Sequence, residues 1–204
     1  IDDFEIVIAD DGSTDKTKAV LALFSNKFKY PIVHVWHEDK GFRKSEILNK
    51  AILKTNSDYL LFTDGDCIPR KDFVSIHLKN KEVNYFLSGG YFKLPMDVSK
   101  AITDNDVETQ NCFNVSWLKK QGLNLNFKAT KLTHNRCFAS FMNWLTPTKR
   151  TFNGHNTSCF KKDILAVNGF NEDMQYGGLD REVGERMFNN DLFSKQIRYS
   201  AICI

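Results

Sequence analysis

The chain has 204 residues, 42% of them apolar, with 28 basic and 25 acidic side chains and a formal net charge of +3. That suits one large domain or two small ones with a sizeable core, and it excludes intrinsic disorder. No dense Lys/Arg stripe supports nucleic-acid binding, no apolar run approaches the ~20 residues of a membrane span, and no period marks a repeat array or coiled coil.

Phe4–Ala9 is apolar and β-branched at Ile6, Val7 and Ile8, which predicts a buried strand ending at Asp10-Asp11-Gly12. Ser13 or Thr14 is placed to cap a helix whose apolar face is Ala19, Val20, Leu23 and Phe24. A second strand is predicted at Ile32–Trp36, a second helix at Ser45–Thr55 with Ile47, Leu48, Ala51 and Ile52 on one face, and a third strand at Tyr59–Thr63. This alternation predicts an α/β fold with a mostly parallel sheet. A short helix at Lys71–Leu78 and strand from Tyr85 to Leu94, broken by Gly89-Gly90, come next. From Asp97 to Arg150 the period fades, apart from helical stretches at Val98–Thr109 and Cys137–Leu145. The segment reads as an excursion from the sheet, of the kind that carries functional loops. Order returns with a strand at His155–Phe160, a helix at Lys161–Val167 closed by Asn168-Gly169, a helix at Asp180–Asn189 after Gly177-Gly178, and a strand at Gln196–Ile204.

The five cysteines, Cys67, Cys112, Cys137, Cys159 and Cys203, form no C-x-x-C pair and read as reduced thiols of a cytosolic protein. The N-x-S/T strings at Asn114 and Asn156 are therefore not expected to carry glycans.

Four stretches hold residues suited to chemistry. Asp64-Gly65-Asp66 ends the third strand, where open α/β sheets bind ligands. Carboxylates at i and i+2 of an extended chain point the same way, with a bare glycine between them. Two hard oxygen donors suit Mg²⁺ or Mn²⁺, although Asp-Gly is also common in simple turns. Asp10-Asp11-Gly12-Ser13 ends the first strand and lacks a P-loop pattern. Its carboxylates suit a base N–H or ribose hydroxyls, or else cap a turn. In Gly41-Phe42-Arg43-Lys44, Arg43 stands at a helix start, within reach of a base or diphosphate or as a plain surface cation. Asp180, after Gly177-Gly178, is either a helix cap or a general base on a mobile loop. Trp117, Phe141 and Trp144 suit stacking on sugar faces or packing, and His155 suits a site wall or a structural place.

Taken in this order, the four stretches resemble a family 2 glycosyltransferase of the GT-A fold, with a galactosyltransferase-like segment over Gly154–Glu182. The resemblance implies a single domain. Residues 1–96 would bind the nucleotide-sugar, and residues 97–204 would carry the acceptor side and the base. It implies that Asp10, Asp11, Arg43, Asp64 and Gly65 hold a UDP-sugar, that Asp64 and Asp66 hold Mn²⁺ or Mg²⁺, and that Asp180 is the catalytic base. Glu182 is a less suited substitute for Asp180 and, with Trp144 and His155, a candidate for the acceptor side. The implied reaction is an inverting transfer to a glycan or lipid-linked acceptor of surface polysaccharide, in the cytoplasm or at the cytoplasmic face of the inner membrane. The alternatives are a nucleotide-binding domain without turnover and a sugar-nucleotide pyrophosphorylase. Family members open with a strand and helix before the segment that begins at Ile1, so N-terminal truncation is expected. Relatives often place a metal-proximal histidine after the strand that corresponds to Ala201–Ile204.

Overall fold

The computed structural model describes residues 4–147 and 151–204. The strands are β1 (Ile6–Asp10), β2 (Ile32–Trp36), β3 (Tyr59–Phe62), β4 (Tyr85–Ser88), β5 (Gly90–Tyr91), β6 (Thr157–Phe160), β7 (Phe193–Gln196) and β8 (Ile202–Cys203). The α-helices are α1 (Asp15–Ser25), α2 (Lys44–Lys54), α3 (Phe73–Asn80), α4 (Met96–Lys100), α5 (Asp104–Glu108), α6 (Val115–Lys120), α7 (Arg136–Leu145), α8 (Lys161–Ala166) and α9 (Leu179–Asn189). The fold is a mixed α/β one, as expected. The chain forms two compact units. One takes the chain up to Leu60 together with Phe160–Leu192, and the other takes Leu61–Cys159 together with Phe193–Ile204.

In the first unit β1 and β2 pair in parallel, from Ile6 opposite Ile32 to Asp10 opposite Trp36. A parallel pair needs a crossover, and α1 supplies it. α2 buries Ser45, Ile47, Ala51 and Ile52, close to the face read from its period. The face expected for α1 is not buried. Val20, Leu23 and Phe24 are 50%, 65% and 44% exposed, because no described element lies over them. Glu5 ties the start of β1 to the residues after α2, accepting from the Thr55 hydroxyl, from Ser57 Oγ (2.9 Å) and from the Asn56 amide (3.2 Å). α8 closes as the Asn168-Gly169 pair predicts. Asn168 is left-handed (φ 63°), and the amides of Asn168 and Gly169 bond to Leu165 O and Ile164 O, both at 2.9 Å.

In the second unit β4 lies between β6, which is antiparallel to it, and β7, which is parallel, in a sheet ordered β3-β6-β4-β7. β5 pairs in parallel with β8, and Ile68 exchanges backbone hydrogen bonds with Ile204. The strand expected over Gln196–Ile204 is two strands. The amides of Ser200 and Ala201 fold back onto Ile197 O (2.9 and 2.8 Å), and the resulting turn separates β7 from β8. Strand after Gly89 likewise extends only through Tyr91, not to Leu94. The stretch from Asp97 is packed rather than loose. Its short helices are capped by their own side chains, Thr103 with Asp106 in a reciprocal capping box and Asn114 and Asn135 as acceptors. They bury Val98, Cys112, Phe113, Leu118 and Leu132 against Ile202. This stretch lacks a steady period because its apolar contacts are spread over several helices of about one turn each.

Candidate active site

The acidic turn after β1 is locked by histidines from the neighbouring strand. Asp10 is buried. Its Oδ1 accepts from the Ser13 amide (2.8 Å), and its Oδ2 lies 2.7 Å from His34 Nε2. Burial works against its charge, but the bonds from Ser13 and His34 outweigh it and hold the carboxyl below the ordinary carboxylate range. Gly12 adopts φ 86°, and a Cβ there would fall 2.5 Å from Asp39 Cα, so only glycine fits the turn.

Asp11 closes a ring of polar contacts. Its Oδ1 meets His37 Nε2 at 2.6 Å, and its Oδ2 accepts from the Arg43 amide at 2.8 Å. Lys50 Nζ bonds to His37 Nδ1 (3.2 Å) and to Glu46 Oε1 (2.6 Å), and Arg43 Nη1 donates to Glu46 Oε2 (2.9 Å). The hydrogen bond from Lys50 and the charges of Arg43 and Lys50 hold the Glu46 carboxyl below its usual range. The Arg43 guanidinium also donates to Glu38 O, while its Nε is buried with no hydrogen-bond partner. Arg43 and Asp11 thus enter a shared network, and each oxygen of Asp11 keeps a lone pair for a further donor. Sequence reasoning missed His34 and His37. Their place on and just after the strand beside β1 was the available signal.

Residues Asp64 to Cys67 form a turn after β3, with the Cys67 amide 3.2 Å from Asp64 O. Asp64 is half-buried and Asp66 exposed, and a Cβ on Gly65 would meet nothing within 4 Å. Two carboxylates beside open space suit a hard cation that completes its shell with water and phosphate oxygens. No group of three or more His, Cys, Asp or Glu that could hold a metal occurs among the described residues.

α9 begins after Gly177 (φ 94°) and Gly178 (φ 84°), and Gly178 is the N-cap. Asp180 therefore lies inside the first turn rather than at the cap, and its Oδ1 is buried without a hydrogen-bond partner. Glu182 is committed elsewhere: Arg186 Nε and Nη2 hold its two oxygens at 2.7 Å each. The stretch preceding α9 meets the Gly41–Asn49 stretch. Phe42 and Tyr176 stack edge-on at 5.6 Å, and Asn49 bonds to Phe170 N and O (2.8 and 2.9 Å) and to Glu172 Oε1 (2.8 Å).

Of the acceptor-side candidates, Trp144 is 80% exposed on α7 beside Phe141 (6.1 Å between rings), and Trp117 is half-buried against the core. His155 precedes β6, edge-on to Tyr91 at 4.8 Å. No helix among the described residues is long and apolar enough to cross a membrane.

The model of the glycosyl transferase family 2 matches residues 1–143, which include the motifs from Asp10 to Asp66. The chain belongs to that family. It is 31% identical over 94 residues to the uncharacterized glycosyltransferase YfnE of Bacillus subtilis, covering 45% of this chain and 23% of that protein. It is 21% identical over 206 residues to the chondroitin synthase of Escherichia coli, covering 96% of this chain and 29% of that one. Its fold is similar to that of the mannosyltransferase PcManGT of Pyrobaculum calidifontis, solved with GDP-Man and Mn²⁺. The TM-score is 0.61 at 18% identity, over 98% of this chain and 46% of that one. The fold of this family 2 chain is thus GT-A, and the chain spans less than half the length of each of these relatives.

Proposed function

We propose that the chain is the catalytic part of an inverting, metal-dependent glycosyltransferase that moves a sugar from a nucleotide donor, a UDP-sugar, to a glycan or lipid-linked acceptor. Asp10, Asp11, Arg43, Asp64 and Gly65 bind the nucleotide-sugar. Asp64 and Asp66 hold Mn²⁺ or Mg²⁺, which when bound neutralises charge on the departing diphosphate. Trp144 and His155 border the acceptor. Asp180 takes the proton of the attacking hydroxyl, and attack on the face opposite the leaving group inverts the anomeric centre.

The observation that carries this reading is Asp180 Oδ1, a buried carboxylate oxygen with no donor. Such an atom costs about 1–3 kcal/mol to bury, and a substrate hydroxyl is a donor of the kind it lacks. Family membership favours this reading over a sugar-nucleotide pyrophosphorylase. Surface polysaccharide synthesis at the cytoplasmic face of the inner membrane is the setting this chemistry suits.

The test is turnover and nucleotide binding with UDP- and GDP-sugars, in Mn²⁺, Mg²⁺ or EDTA. GDP belongs in the screen because the mannosyltransferase PcManGT was solved with GDP-Man. Asp66→Ala is expected to lose metal-dependent nucleotide binding and turnover together. Asp180→Asn is expected to lose about 10²–10⁴-fold in turnover while nucleotide binding survives. Nucleotide binding equal in EDTA for every variant overturns the role of Asp66, and undiminished turnover in Asp180→Asn overturns the base. Metal-dependent nucleotide binding without turnover in the unaltered chain selects the binding-only reading.

A further inference from the structure

We propose that a cavity in the second unit receives a carboxylate or phosphate group carried by a sugar substrate. The cavity measures about 280 Å³ and is lined by Gly89, Gly90, Tyr91, Lys131, Thr151, Asn153 and Arg198. That is several times the ~30 Å³ share of one water in the liquid, so it has room for an anionic group and part of the ring that bears it. Its floor is bare backbone by necessity. A Cβ on Gly89 would fall 1.8 Å from Asn156 Oδ1, and one on Gly90 would fall 2.0 Å from Arg198 O.

The charges are one-sided. Lys131 and Arg198 are both half-buried, and no lining residue among the described ones is acidic. Lys131 Nζ sits 5.5 Å over the Tyr91 ring and 3.4 Å from Tyr91 O, and Arg198 Nη2 lies 3.3 Å from Ser88 Oγ. Burial, then the charges of Arg198 and Lys128, depress the Lys131 ammonium, and burial likewise depresses the Arg198 guanidinium. Two partly desolvated cations in one cavity are stabilised by an anion between them. An arginine fork matches the paired oxygens of a carboxylate or phosphate. Thr151 and Asn153, bonded to each other at 3.1 Å, add a hydroxyl and an amide suited to sugar oxygens. Tyr91, half exposed at the rim, offers a ring face. That the anion belongs to a sugar rests on the glycosyltransferase reading; the charge argument does not.

The experiment titrates the whole chain with inorganic phosphate, D-glucuronate and D-glucose in EDTA, followed by calorimetry and by backbone amide shifts. EDTA keeps a cation from recruiting anions to Asp64 and Asp66. Phosphate or glucuronate is expected to saturate a site that shifts Gly89, Gly90 and Tyr91, with glucose silent. Binding is expected to weaken about tenfold in Lys131→Gln, the loss of one charged hydrogen bond. Arg198→Lys, which keeps the charge but not the fork, is expected to weaken it less than Lys131→Gln does. Saturation by glucuronate alone points to an acidic sugar, and saturation by phosphate alone to a phosphorylated or diphosphate-linked one. If neither anion saturates, or Lys131→Gln binds like the unaltered chain, the proposal fails. Nucleotide binding with Mn²⁺, measured in parallel, separates the two readings. Intact nucleotide binding without anion binding removes only the cavity, and the converse removes the glycosyltransferase reading.

Discussion

His77 is fully buried, its Nδ1 2.7 Å from Ser158 Oγ and its Nε2 2.8 Å from Asn156 Oδ1. Burial pushes its pKa down to about 4, the Asn156 bond opposing. Below about pH 6.5 the unfolded chain takes up a proton that folded His77 refuses until about pH 4. Stability is therefore lost as the pH falls across that window, by about 3 kcal/mol for this group. His77→Gln is expected to lower the urea midpoint at pH 7 yet shrink its drop between pH 7 and pH 4.5. An unchanged drop would show that other groups set the acid sensitivity. Asn156 is the hub here, since its amide also donates to Gly90 O (2.7 Å) and Ala201 O (3.1 Å). Its unsuitability for a glycan, argued from the cysteines, has a more direct cause in its complete burial. The sequence marks His77 only as a polar residue on a short helix, because its partners lie some eighty positions away.

Elements built on local periodicity were legible nearly to the residue: β2 and β4 coincide with their predicted spans, and α2, α8 and α9 differ by about one residue at an end. The misreadings share a cause. The apolar face of α1 and the run Gln196–Ile204 needed knowledge of which partners cover them, and period alone carries none. Of the candidate site, Asp64, Asp66 and Asp180 stood out by type and by position at element ends. The Lys131–Arg198 pair gave no signal, because the two line one cavity from positions 67 residues apart in the chain. At α9 the decisive side chain is Arg186. Besides Glu182, it donates to Val167 O and to Gly169 O (2.7 Å), pinning the Schellman turn after α8 to the helix that bears Asp180. Arg186→Ala is expected to cost about 2–3 kcal/mol in chemical denaturation. Arg186→Lys should recover less than half, because a point charge cannot replace the fork. A loss below about 0.5 kcal/mol would place this clamp among weak surface pairs.

At the scale of the whole molecule, each compact unit is assembled from two separated stretches of chain. The fade of periodicity at Asp97 reads as an excursion from the sheet, and it says nothing of which distant stretches pair. The pairing of β4 with β7, more than a hundred residues apart, joins the end of the chain to its middle. Phe193–Ile204 supplies β7, β8 and the buried Ile197, Ala201, Ile202 and Cys203. Deleting that segment is expected to abolish cooperative unfolding of the second unit and open Leu61–Cys159 to proteolysis. Retained protection would show that the middle of the chain folds alone. The interleaving also sets an order in time. A ribosome emitting roughly 5–20 residues per second delivers α9 about 7–30 s after β2. Through that interval the first unit waits without Phe160–Leu192, whose Phe170 backbone and Glu172 hold Asn49 in the finished protein, so the nascent chain, more than the finished protein, is where chaperone capture should concentrate.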